Sequence, residues 1–79
     1  MTHEQLLEIA GKYDRILYPA AAPIKDGNRL QHVRWMCNEI LEKRFLENME
    51  KGCRWLGFIQ GVLWMENIYT IDQMREHNG

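Results

Sequence analysis

The chain has 79 residues, a formal net charge of −1 and 46% hydrophobic residues, which leaves room for a single domain over residues 1–79. A near-neutral balance argues against a general nucleic-acid binder, whose surface is basic. The longest apolar run, Trp55 to Met65, is too short to span a bilayer and contains Gln60.

The chain opens with Met1 and polar residues, so no leader peptide is expected. Thr2 followed by Gln5 is a capping box. It starts a segment whose apolar residues, Leu6, Ile9, Ala10, Tyr13, Ile16 and Leu17, share one helical face. Pro19 ends this helix, so it is expected over about residues 3–17. Tyr18 to Gly27, with Pro19, Pro23 and a closing Asp-Gly, is expected to be an ordered strap. Asn28 with Gln31 opens a second helix over about 29–44, with Leu30, Val33, Met36 or Cys37, Ile40 and Leu41 inward. The period falters after Lys43, and a kink or short turn is expected near Phe45 to Asn48. A third helix follows over about 49–66, and Thr70 with Gln73 opens a short last one over about 71–77. The fold class is therefore all-α: three to four short helices in a hairpin or small bundle.

A core of this size needs reinforcement from a disulfide, a metal or a second chain. The two cysteines, Cys37 and Cys53, lie in helical patterns without CxxC spacing. Buried free thiols in a reducing, cytoplasmic setting are expected of them. No pair of histidines stands at i, i+4 to hold a metal, since His3, His32 and His77 are far apart. Completion of the bundle by homo-oligomerisation is the remaining reinforcement.

The third helix carries the strongest reason for that expectation. On a helical wheel Lys51, Arg54, Trp55, Phe58, Val62 and Met65 share one side; Cys53, Gly57, Gln60 and Trp64 share the other. Leu56, Ile59 and Leu63 fill the space between, so the helix is apolar all round and expected to be buried all round. Cys53, Gly57 and Gly61 form a ladder of small residues. Cys53, Gly57, Gln60, Gly61 and Trp64 are the expected interface between copies; packing of the second helix on the glycines is the alternative.

No catalytic residues and no cofactor are expected, because no nucleophile, base or phosphate-loop motif of recognised spacing occurs. Glu39, Glu42, Glu47 and Glu50 interleave with Lys43, Arg44 and Lys51 as a solvated, salt-bridged face. A hairpin of the second and third helices would bring His32, Arg34 and Trp35 near Arg54 and Trp55. Guanidinium groups match phosphate or carboxylate oxygens and indole faces stack on bases, so these five are the candidate site for a planar, nucleotide-like anion. The alternative is that the tryptophans belong to the core or an interface, with arginines snorkelling at the edge.

The run Glu50 to Trp64, "EKGCRWLGFIQGVLW", with "YTIDQMREHN" after it and "HVRWM" (His32 to Met36) before it, resembles small proteins encoded by tailed bacteriophages. Glu50, Lys51, Leu63 and Trp64 also match a spacing similar to that of phage anti-CBASS sponges, small helical oligomers that sequester cyclic-nucleotide immune signals. Trp55 and Phe58 depart from the sponge pattern, so no ligand-contacting position is carried over. The resemblance implies a phage-encoded, non-enzymatic counter-defence protein in the cytoplasm of an infected bacterial cell, sequestering a small nucleotide-like signal. A protein-protein inhibitor or adaptor that binds a host enzyme through an apolar patch, and a purely structural assembly module, are the alternatives.

Overall fold

Each helix begins where a short polar side chain meets N–H groups that the helix itself cannot satisfy. In the computed structural model, which describes residues 1–79, α1 spans His3–Leu17, α2 Arg29–Lys43, α3 Met49–Met65 and α4 Ile71–His77. Thr2, Asn28 and Thr70 close full capping boxes with Gln5, Gln31 and Gln73, and the Asn48 side chain accepts from the Lys51 N–H. There are no strands.

The core is a single cluster. Leu6, Ile9, Ala10, Tyr13 and Leu17 of α1 meet Val33, Met36, Cys37 and Ile40 of α2 and Leu56, Ile59 and Leu63 of α3. Ile16 departs from the expected inward face and is exposed, because at the last turn of α1 there is no neighbour left on its side. The strap is ordered as expected: Ala21 is buried, and its carbonyl accepts from the Arg34 guanidinium at 2.8 Å.

α2 and α3 are separate helices, not one kinked rod. Arg44 and Phe45 both adopt left-handed backbone conformations, with φ of 65° and 48°, and the chain reverses over Phe45 to Asn48. This reversal makes α2 and α3 antiparallel, and the Arg29–Glu66 ion pair at 2.9 Å ties the start of one to the end of the other. The tight approach in the bundle is at Gly52. A Cβ there would lie 2.7 Å from Leu6 Cδ2 and 3.3 Å from the Phe45 ring.

The molecule measures 29 × 27 × 17 Å. α1 and α2 both pack against the Leu56, Ile59 and Leu63 side of α3, which therefore has cover on its inner side only. All-round burial of α3 is not what the fold provides: Gly52, Leu56, Ile59, Gln60 and Leu63 are buried, whereas Phe58, Trp64 and Met65 are 55%, 47% and 66% exposed. Both cysteines are free, but only Cys37 is buried. Burial, with Asp14 nearby, pushes its thiol up to about 12. Cys53 lies on the outer side of α3 and is exposed, contrary to the expectation of two buried thiols.

Candidate functional site

On α2, residues three and four apart share a face, so His32, Trp35 and Met36 point the same way. On α3 the same rule groups Arg54, Trp55 and Phe58. The antiparallel hairpin sets these two faces side by side. Together with Lys25 from the strap they line a groove of about 430 Å³.

The aromatic rings in the groove touch one another in sequence. His32 stacks on Trp35 at 5.6 Å between centroids and 27° between planes, and Trp35 meets Trp55 at 6.0 Å and 37°. Phe45, turned inward by the left-handed residues at the helix break, abuts Trp55 edge-on at 5.2 Å and 74°. His32 and Phe58 meet edge-on, with ring centroids 6.3 Å apart and planes at 84°. Because Trp35 and Trp55 are already in contact, no ring can enter between them. A planar ligand must lie on the surface that they share with His32.

Cations stand around that surface. Lys25 Nζ is 5.4 Å from the Trp35 ring and Lys51 Nζ is 5.6 Å from the Trp55 ring. Arg54 pairs with Glu50 across one turn at 3.1 Å. Both partners are exposed, and such a pair contributes only about 0.3–0.5 kcal/mol, so an anionic ligand competes for Arg54 at little loss. The His32 Nδ1–H donates to the Lys25 carbonyl, since a carbonyl can only accept. That bond holds the strap beside the groove and leaves Nε2 as an acceptor in the neutral ring.

Of the five residues expected to bind ligand, His32, Trp35, Arg54 and Trp55 come together and Arg34 does not. Arg34 lies about 200° around the helix from His32. It is turned toward α1, where Nε donates to Asp14 Oδ1 at 2.8 Å and the guanidinium lies over the Tyr18 ring at 5.1 Å. Its role is to tie the strap and α1 to α2. Asn38, one turn on, donates to the same Asp14 oxygen at 2.7 Å.

Of the expected interface residues, Cys53, Gly57, Gly61 and Trp64 lie on the outer face of α3. The second helix does not pack on the glycines: a Cβ at Gly57 or Gly61 would meet nothing within 4 Å. Gln60 is buried instead. Its amide donates to the Tyr13 hydroxyl at 3.0 Å and exchanges two hydrogen bonds with Asn78, at 2.7 and 3.1 Å. The Tyr13 hydroxyl accepts that bond and donates to His77 Nδ1 at 2.7 Å, which docks α4 onto α1 and α3. Burial and the neighbouring Lys12 lower the His77 pKa, and burial raises that of Tyr13.

Lys25, Met36 and Phe58 belong to the groove and were missing from the sequence-based site. Phe58 stands four residues after Arg54 and three after Trp55, a spacing that marks it as their neighbour. Lys25 has no such signal, because only the return of the strap brings it there. No cluster of three or more His, Cys, Asp or Glu side chains is placed to hold a metal. No helix is long and apolar enough to cross a membrane. Comparison with protein-family models, with curated proteins and with solved structures found no match.

Proposed function

We propose that this chain is a non-enzymatic binding protein that holds a planar, nucleotide-like anion in the groove between α2 and α3. The observation that carries this reading is the joining of His32, Trp35 and Trp55 into one aromatic surface bordered by Lys25 and Arg54. Stacking of a base on such a surface contributes about 1–3 kcal/mol, and a charge-assisted hydrogen bond from Arg54 about 1.5–3 kcal/mol. Together they give micromolar binding only if more than one unit of the ligand is engaged. That favours a ligand with several bases or phosphates, such as a cyclic dinucleotide or an ADP-ribose derivative.

The proposal includes a counter-defence role for a phage-encoded protein, in which sequestration removes an immune signal from the host. Exposure of Phe58, Trp64 and Met65 favours the second reading, an inhibitor that grips a host protein through this apolar face. A thermal-shift screen against cyclic dinucleotides and ADP-ribose derivatives separates the two. Sequestration predicts stabilisation by at least one of them, with Arg54→Ala weakening its binding by about tenfold to a hundredfold without unfolding the protein. No shift from any of them refutes the groove reading.

A further inference from the structure

The outer face of α3 carries knobs and a hollow on one surface. Gly57 and Gly61 run along its middle, and the space above both is empty. Phe58 and Met65 rise on one side of them, Trp64 on the other, all about half exposed or more. A hollow of about 380 Å³ follows this face, lined by Arg29, Phe58, Gly61, Val62, Trp64 and Met65. Phe58 also lines the ligand groove, so groove and face form one continuous surface that meets at its ring.

We propose that a second copy of this chain covers this face, α3 against α3 in antiparallel crossing at Gly57 and Gly61, and closes the open side of the ligand groove. A two-fold pair needs a self-complementary surface. Here one helix offers both the knobs and the hollow, so each copy supplies what the other lacks. No charged residue lies between Trp55 and Met65 on α3, and the one charge lining the hollow, Arg29 of α2, is paired with Glu66 at 2.9 Å. Antiparallel crossing also places Arg54 near the C-terminal end of the second α3, where a helix favours a cation.

Area sets the strength of the pair. Large side chains of this kind bury about 150–250 Å² each, so the exposed parts of Phe58, Trp64 and Met65 with the strip between them amount to roughly 450 Å² per copy. Roughly 900 Å² across the pair is about a quarter short of the ~1,200 Å² at which stable interfaces begin. The dimer is therefore weak alone and tightens when a ligand touched by both copies fills the groove, each binding event strengthening the other.

The tightening rests on the groove reading given above; the pairing does not. Sedimentation velocity of the full chain, from low-micromolar to millimolar concentration, tests the pairing without ligand. The expected result is a monomer–dimer equilibrium that Gly57→Leu and Gly61→Leu each weaken about tenfold or more by overpacking the contact, with helical circular dichroism unchanged because both positions have open space. A wild-type monomer at millimolar concentration overturns the pairing, as does a dimer indifferent to both substitutions. Adding cyclic di-AMP as the probe should shift the equilibrium toward dimer. Cyclic di-AMP that binds with the equilibrium unmoved overturns the closing of the groove. A ligand-free dimer that none of the cyclic dinucleotides or ADP-ribose derivatives binds keeps the pairing and removes the groove reading.

Discussion

At the scale of single residues, the polar centre of the molecule is Gln60, Tyr13, His77 and Asn78. Gln60 is buried with its amide fully engaged. Replacing it by leucine removes all three bonds and leaves Asn78 unpaired. Gln60→Leu should lower stability by about 1–3 kcal/mol, read as a fall in the thermal midpoint, with α4 the first element to lose amide-exchange protection. The same network gives the protein an acid-sensitive joint. His77 is neutral when it accepts from Tyr13, and its folded pKa is lowered from 6.5 by burial and by Lys12, with Glu76 pulling the other way. A lowered pKa means that the unfolded chain binds the proton more readily. The stabilisation is present above about 6.5 and fades as pH falls through the lowered value. Thermal midpoints measured across that range should drop on the acid side, and His77→Gln should remove that part of the drop.

At the scale of elements, the helices were legible because their starts are chemical. Thr2, Asn28 and Thr70 announce themselves by a glutamine three residues on, and the structure closes all three capping boxes. The break between α2 and α3 was visible only as a loss of period, since nothing local marks Arg44 and Phe45 for the left-handed conformation. The glycines of α3 show where sequence alone misleads. Gly52, Gly57 and Gly61 look equivalent on one helix, but only Gly52 is pressed, with Leu6 2.7 Å from its missing Cβ. Gly52→Ala gains about 1 kcal/mol of helix propensity, but Leu6 is fully buried and cannot swing away. Overpacking of about 1–3 kcal/mol should therefore leave it net destabilised by up to about 2 kcal/mol. Gly57→Ala should raise the stability of the dilute monomer by up to about 1 kcal/mol through helix propensity. Chemical denaturation of the two variants side by side checks the opposite signs.

At the scale of the whole molecule, the groove was half legible. His32, Trp35, Arg54 and Trp55 could be grouped once an antiparallel hairpin was assumed. Arg34 was grouped with them through nearness in sequence, which a helix turns into opposite faces. Lys25 reached the groove through the path of the strap, and Gln60 was drawn inward by α4; neither carries a periodic signal. Both α1 and α2 pack on the Leu56, Ile59 and Leu63 side of α3, which is why a helix apolar all round keeps one side open. That open side and the groove are both marked by tryptophans, with Trp35 and Trp55 in one and Trp64 on the other. The indole N–H resonances in a single nitrogen–proton correlation spectrum therefore report both surfaces. Titration with the cyclic dinucleotide or ADP-ribose derivative that gives the largest thermal shift should move the Trp35 and Trp55 signals strongly. Dilution without ligand should move Trp64. Signals of Trp35 and Trp55 that stay fixed at saturating concentration of every cyclic dinucleotide and ADP-ribose derivative would contradict the groove as a binding site.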